Sequence, residues 1–298
     1  MIRPQPLRVG DKVAIVSPAG ALQQPELLNI AAERLASWGL RVNIAPHASA
    51  RNGYFAGSIE ERTADVLAML RDDSIKALFC SYGGYGCVHL LPHIGNEFVR
   101  HPKWIIGMSD CSALLAACVN SGIMSLHAVQ CRHLAHKGND ESSEYLRKTL
   151  FGWLPRYSVN AHPLNRQGCA NGTLIGGNLS VLSALINTPY DILKPGNILF
   201  IEDINEPLYK IERMLYTLKY SGVLSSLKAL IVGGFTDCKE NKDFGGTAYE
   251  IISRMVGEYD YPVCFGFPVG HGEECYPLIE GATICLDIKT EGVEIAFC

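Results

Sequence analysis

Ser109 belongs to the run Trp104-Ile-Ile-Gly-Met-Ser109-Asp110-Cys111-Ser112, in which a short apolar stretch turns abruptly into polar residues. Read as a buried strand joined to a helix by a tight turn, the run sets Ser109 at the carboxyl edge of a sheet, where open parallel sheets bind ligands. A serine there can hold its hydroxyl clear of the backbone, and the Asp110 amide, at a helix N-terminus, can face a developing oxyanion. These are the mechanics of a nucleophile elbow, although Cys111 replaces the second glycine of Gly-x-Ser-x-Gly. Ser109 or Asp110 could equally cap the helix, and the segment alone leaves both roles open.

A second candidate is Ser81-Tyr82-Gly83-Gly84-Tyr85-Gly86. It follows another expected strand, so its glycines also fall at the carboxyl edge, where a bare backbone can approach a ligand closely. The loop could supply a second oxyanion donor, act as an ordinary turn, or cradle a phosphate. It lacks the Lys-Ser/Thr end of a P-loop and is not Gly-x-Gly-x-x-Gly.

In the second half, Ile198-Leu-Phe-Ile-Glu202-Asp203 ends a very apolar strand on two carboxylates, which there need solvent or a partner. Glu202 could orient and stabilise a histidinium; alternatively the pair caps the helix after Asn205-Glu206-Pro207, a role that suits Asp203 better. His271, between glycines in Gly266-Phe-Pro-Val-Gly270-His271-Gly272, could be a general base or a solvated loop histidine.

Metal chemistry finds less support. His89 and His93 are four apart and His133 and His136 three apart, but Pro92 interrupts the first pair and no His-Glu-x-x-His is present. The eleven cysteines are odd in number, scattered and without Cys-x-x-Cys, which argues against a disulfide framework or a zinc ribbon. They read as small core residues, with Cys111 beside the elbow the one to watch.

The elements that must position these residues follow from periodicity. Up to about residue 135, short apolar runs alternate with longer amphipathic stretches, the pattern of β-α-β units in a parallel sheet. Strands are expected at 12–16, 41–45, 75–79, 104–107 and 123–126. Pro25 suits the first turn of one helix, and Ser58 with Glu61 forms a capping box for the next. A third helix should follow Gly86, and a fourth should run from Asp110 to Asn120 and stop at Gly122. Residues 136–170 are rich in charge, Pro and Asn and are expected to hold the domain linkage. Helices are expected near 178–187, 208–221 and 246–257, with strands near 197–202, 228–232, 282–287 and 292–296. The expected fold class is therefore α/β: a Rossmann-like domain over 1–140, a linker over 141–170, and a mixed α/β domain over 171–298.

Composition limits the function. The 298 residues are 48% hydrophobic and 19% charged, which excludes a disordered or fibrous chain. Twenty-six basic against thirty acidic residues give a net charge of −4, with no footprint for nucleic acid. The longest nearly apolar stretch, Ala113 to Val119, is far shorter than the roughly 18 residues a membrane span requires. The start of the chain reads as that of a mature cytoplasmic protein.

Together these segments resemble the LD-carboxypeptidase family of serine peptidases. The resemblance runs in order through Val13-Ala-Ile-Val-Ser-Pro-Ala-Gly20, Gly83-Gly-Tyr-Gly86, Gly107-Met-Ser-Asp110, Gly176-Gly-Asn-Leu179 and Asn187-Thr-Pro189. It continues through Phe200-Ile-Glu-Asp203, Tyr209-Lys-Ile-Glu-Arg-Met-Leu215, Gly234-Phe-Thr-Asp237 and Gly266-Phe-Pro-Val-Gly-His-Gly272. It implies a Ser109-His271-Glu202 triad, with Ser109 the nucleophile, His271 the base and Glu202 its orienting acid. The implied oxyanion donors are the amides of Asp110 and of Gly83 or Gly84, and the implied substrate contacts are Tyr85, His127, Arg132 and Asn178.

The resemblance further implies a Rossmann-like parallel sheet with helices on both faces, a C-terminal domain of barrel-like β-structure, no cofactor or metal, and a homodimer. The implied reaction releases D-alanine from peptidoglycan tetrapeptides in cytoplasmic wall recycling. Rival expectations are a microcin-immunity type peptidase that cleaves an aminoacyl-nucleotide or acyl-sulfamate conjugate, and a non-catalytic module that binds a peptide or nucleotide. The chain departs from the family at Tyr82 and His89, where arginines are usual, and at His127-Ala-Val-Gln130, where His-Gly-Pro-Met is usual. A carboxypeptidase must bind a terminal carboxylate, and the sequence does not choose between Arg132 and His127 for that task.

Overall fold

The computed structural model describes residues 1–238 and 244–298 and divides them into two compact units. The first comprises Met1–Trp153 with Tyr276–Ile279, and the second Leu154–Cys275 with Glu280–Cys298.

The first unit begins with β1 (Lys12–Val16), α1 (Leu27–Ser37), β2 (Arg41–Ile44), α2 (Ile59–Arg71) and β3 (Ile75–Cys80). It continues through α3 (Leu91–Ile94), α4 (Glu97–Arg100), β4 (Trp104–Gly107), α5 (Ser112–Asn120), β5 (Ser125–His127), α6 (Cys131–Lys137) and α7 (Glu141–Leu150). Five strands run parallel in the order β2-β1-β3-β4-β5. Val13, Ala14, Ile15, Phe79 and Ile106 are fully buried, the continuous apolar content expected of a parallel sheet covered on both faces. The order reverses direction between β1 and β3, a topological switch where such sheets open a ligand crevice beyond their carboxyl ends.

The expected strands and the capping box are present: the Ser58 side chain accepts from Glu61 N, and the Glu61 carboxylate accepts from Ser58 N. Two expectations are corrected. After Gly86 there is no single helix but a 3₁₀ turn over Cys87–His89 followed by the short α3 and α4, because Pro92 and Gly95 interrupt the period. The helix expected from Asp110 opens as a 3₁₀ turn over Ser109–Cys111 before α5, which is buried from Ser112 to Val119.

The second unit contains β6 (Arg156–Asn160), β7 (Gly168–Asn178), α8 (Leu179–Leu185), β8 (Ile198–Ile204), α9 (Leu208–Tyr220), β9 (Ala229–Thr236), α10 (Ala248–Met255) and β10 (Val263–Phe265). β11 (Leu278–Glu280) joins the first sheet beside β5, and β12 (Thr283–Ile288) and β13 (Gly292–Phe297) complete the second. The second sheet runs β10-β9-β8-β7-β12-β13-β6. It is parallel from β10 to β7 and antiparallel from β7 to β6. β7 joins the halves: Gly168–Thr173 pairs with β12, and Leu174–Asn178 pairs with β8. The fold class is thus α/β, as expected.

The stretch 141–170 carries α7 in the first unit and β6 in the second, with the division between Trp153 and Leu154. Its charge belongs to an amphipathic helix: Asp140 accepts from Ser143 N at 2.9 Å as the N-cap, while Leu146, Thr149 and Leu150 are buried. Among the described residues no helix is long and apolar enough to cross a membrane.

Candidate active site

In the first unit, β4 ends at Gly107, and a Cβ there would lie 2.8 Å from Cys111 Cβ and 3.2 Å from Cys80 Cβ. The missing side chain lets the incoming helix close over the strand end. Met108 is extended, and Ser109 then takes φ +59°, left-handed backbone that a serine adopts only at a cost of about 1–2 kcal/mol. This puts the half-buried Ser109 on the apex of the turn. Cys111 N donates to Met108 O at 3.1 Å, and Ser112 N to Asp110 O and Ser109 O, which closes the turn into the helical segment.

Neither Ser109 nor Asp110 caps α5: its N-cap is Cys111, with no side-chain capping hydrogen bond. The Asp110 carboxylate is buried and accepts the Cys87 N–H at 2.8 Å, tying the end of the glycine loop to the turn. Burial pushes the Asp110 carboxyl up to about 6, against the Cys87 hydrogen bond, which pulls it down.

Gly83 packs directly on Ser109, since a Cβ at 83 would lie 2.8 Å from Ser109 Cβ and 2.9 Å from Ser109 Oγ. Gly84, at φ +88°, faces the other way, toward Tyr54 Oη and Gly20 Cα. The loop after β1 is bound to this one by Gly20 N donating to Gly83 O at 2.9 Å and by the 2.6 Å contact of the Ser17 and Ser81 hydroxyls.

Arg62 completes the scaffold. It is buried, and its Nη1 donates to Pro18 O at 2.7 Å and Gly86 O at 2.9 Å, one carbonyl from each loop. Sequence reading passed it over, yet the signal was present: Arg62, Val66, Met69 and Leu70 share the buried face of α2 at helical spacing.

In the second unit, β8 is buried from Ile198 to Asp203, and Glu202 Oε2 contacts His271 Nδ1 at 2.7 Å. The Glu202 side chain is wholly inaccessible, whereas that of His271 is 17% exposed. Burial pulls the imidazole pKa down, but the hydrogen bond and charge of Glu202 outweigh this, so its pKa lies above the ordinary value. Gly270 is required beside it: at φ +112°, its Cβ would lie 2.7 Å from Glu202 Oε2. Asp203 does not cap α9, whose N-cap is Pro207 without a side-chain bond. It accepts Ser180 N at 3.0 Å, Asn178 Nδ2 at 2.9 Å and Ile204 N at 2.9 Å, and so holds the start of α8. Burial raises its carboxyl to about 6.

One unit thus holds a serine in left-handed backbone packed against Gly83, and the other an imidazole in contact with a buried carboxylate. Two family models match the chain, the LD-carboxypeptidase N-terminal domain over residues 13–128 and the LD-carboxypeptidase C-terminal domain over residues 171–286. The chain belongs to the LD-carboxypeptidase family.

Relatives of this carboxypeptidase include the murein tetrapeptide carboxypeptidase of Pseudomonas aeruginosa, 30% identical over 94% of each chain. A Bacillus subtilis protein named "Probable murein peptide carboxypeptidase" is 34% identical over 93% of this chain and 88% of its own. Among solved structures, muramoyltetrapeptide carboxypeptidase from Oxalobacter formigenes superposes with a TM-score of 0.88 at 27% identity, covering 96% of this chain and 98% of that one. The microcin C7 self-immunity protein MccF, in complex with aspartyl sulfamoyl adenosine, shares the fold, with a TM-score of 0.88 at 22% identity over 99% and 98% of the two chains. By its family the chain is an enzyme of the serine-type carboxypeptidase class.

The remaining candidates are distributed unevenly through this LD-carboxypeptidase. Tyr85 is half exposed and packs edge-on against His89. Arg132 is exposed, with its guanidinium 5.4 Å above the Tyr82 ring. His127 is completely buried. Asn178 is buried as the N-cap of α8, its Oδ1 taking Val181 N and Ser180 Oγ. His89 faces Arg62 and Phe55, and His133 contacts Asp140 at 2.7 Å. Among the described residues no group of three or more His, Cys, Asp or Glu is arranged to hold a metal ion.

Proposed function

We propose that this carboxypeptidase hydrolyses the amide linking the third stem residue to the terminal D-alanine of a peptidoglycan-derived tetrapeptide, with Ser109 as nucleophile, His271 as general base and Glu202 as its orienting acid. The observation that carries the reading is the 2.7 Å contact between the inaccessible Glu202 carboxylate and His271 Nδ1. It holds Nδ1 as the protonated nitrogen and leaves Nε2 to accept a proton.

In this reaction Ser109 Oγ attacks the carbonyl carbon while His271 takes its proton. The oxyanion is held by the Asp110 amide and by the amide of Gly83 or Gly84. Loss of one such donor costs about 100- to 1000-fold in rate. His271 then gives its proton to the departing amine of D-alanine, and water, deprotonated by the same imidazole, releases the acyl group from Ser109. No cofactor enters these steps. The reading extends to a homodimer working in the cytoplasm on recycled wall peptides, tested by sedimentation and by cell fractionation.

The direct test is mass-spectrometric detection of D-alanine released from a muramoyl tetrapeptide by wild type and by Ser109→Ala, with the L-alanine-terminated peptide as control. Release by wild type alone, and from the D-peptide alone, is expected. Cleavage confined to an aminoacyl-nucleotide conjugate would overturn the substrate assignment, and release by Ser109→Ala would remove Ser109 as the nucleophile.

A further inference from the structure

The first unit has a cleft of about 200 Å³ beside the glycine loop, rimmed by Gly20, Tyr54, Tyr82, Arg51, Arg132 and His136. Two arginines and a histidine line it, and no acidic residue does. Among the described residues, no carboxylate pairs with Arg51 or Arg132. A concave surface with unpaired guanidinium groups is suited to an anion.

The cleft is tied to Ser109 through two successive glycines. Gly83 packs on Ser109, and Gly84 packs on Tyr54 and Gly20, both of which line the cleft. Gly83 and Gly84 are consecutive, so one dipeptide packs on both Ser109 and the lining of the cleft.

Three cations near the loop can be distinguished by their surroundings. Arg62 is buried and engaged with Pro18 O and Gly86 O. Arg51 reaches back to Gly53 O through Nε, at 3.3 Å. Arg132 is anchored at its base by its own N–H, which donates to Ser81 O at 3.0 Å, and at its tip by the Tyr82 ring. Its stem is held, while the guanidinium stays accessible in the cleft. Stacking on an aromatic face orients a guanidinium without using its N–H donors. His127, the other candidate, is fully buried and does not line the cleft.

We propose that this cleft receives the C-terminal carboxylate of the peptide substrate, with Arg132, steadied by Tyr82, as the residue that sets specificity for a free carboxylate. The proposal rests on the carboxypeptidase reading above and names the group that restricts the enzyme to chain ends.

The test compares a D-alanine-terminated tetrapeptide with its C-terminal carboxamide. Wild type should favour the free acid, and Arg132→Gln should lose about 10- to 150-fold in kcat/KM on the acid, mainly through KM, with little change on the amide. Tyr82→Phe, which keeps the stacked ring, should retain the preference, and Tyr82→Leu should weaken it. An Arg132→Gln enzyme with the wild-type acid-to-amide ratio overturns the proposal.

Calorimetric binding of both peptides to Ser109→Ala, with and without Arg132→Gln, reads the cleft without turnover. Tighter binding of the acid that disappears with Arg132→Gln supports the assignment. Equal affinity for acid and amide, or no binding of either, overturns it. Failure of wild type to release D-alanine defeats the reaction assigned above, while the binding ratio still decides the cleft.

Discussion

Glu202 Oε2 lies 2.7 Å from His271 Nδ1, joining an inaccessible carboxylate at the end of β8 to an imidazole on a glycine-flanked loop. In the proposed role of base His271 acts when neutral, and Glu202 raises its pKa above the ordinary 6.5. Activity should therefore fall as pH drops through a value above 6.5, and kcat/KM measured from pH 4 to 9 checks this. Glu202→Gln removes the charge that raises the pKa, so the acid limb should move to lower pH while kcat drops about 100- to 10,000-fold with the fold intact. A profile flat to pH 4 excludes His271 as the base, and a fully active Glu202→Gln removes the acid from the triad.

Asp110 supplies a second titration. Its carboxylate accepts the Cys87 N–H, and burial brings its pKa to about 6. Protonation below that value weakens the tie between the glycine loop and the Ser109 turn, so the acid limb should steepen toward a slope of two on a logarithmic plot. Asp110→Asn keeps a carbonyl acceptor but does not titrate, and should return the slope to one. A wild-type slope of one would show that the charge on this carboxylate does not matter for turnover.

Gly83→Ala isolates a steric effect. The backbone at 83 is not in the left-handed region, so alanine is conformationally allowed, but its methyl would lie within 3 Å of Ser109 Cβ and Oγ. If Ser109 is the nucleophile proposed above, displacing it by a fraction of an ångström to about 1 Å should reduce kcat about 100-fold. The thermal midpoint should change little by comparison, and an unaltered kcat would place Ser109 outside the reaction.

Ser109 carries strain that can be measured separately from catalysis. Ser109→Ala and Ser109→Gly should both be inactive, but only glycine relaxes a residue at φ +59°. Denaturant unfolding should find Ser109→Gly more stable than Ser109→Ala by about 1 kcal/mol. Equal stability would mean that the turn is not strained in solution.

Much of the first sheet was legible from the sequence because parallel strands buried on both faces read as continuous apolar runs, as in Val13–Val16 and Trp104–Ile106. Strand β7 escaped notice: Gly168-Cys-Ala-Asn-Gly-Thr173 has turn-like composition, yet it forms a strand because β12 offers six consecutive partners. β10 and β11 have three residues each, too few to show a period. β6 and α7 were hidden in a stretch whose charge and proline content resemble a linker.

The site divides along the same line. Gly83, Ser109, Glu202 and His271 drew notice by residue type and by neighbouring glycines, but each had a mundane alternative, and their assigned roles came from the resemblance. The capping alternatives for Asp110 and Asp203 were decided by partners 23 residues away in each case, Cys87 and Ser180. Arg62 depends on the loops after β1 and β3, brought together at the turn of strand order, and the Arg132–Tyr82 stack on the start of α6 meeting the loop after β3.

By itself, the sequence determined the α/β alternation, the glycines that permit tight turns, and the ordered blocks that resemble one family. These are local properties, written in runs of a few to about fifteen residues. Tertiary structure alone decided which polar side chain meets which, because a hydrogen bond is settled within about 3 Å, and it is the folded chain, not spacing along it, that brings Glu202 to His271 and Arg132 to Tyr82.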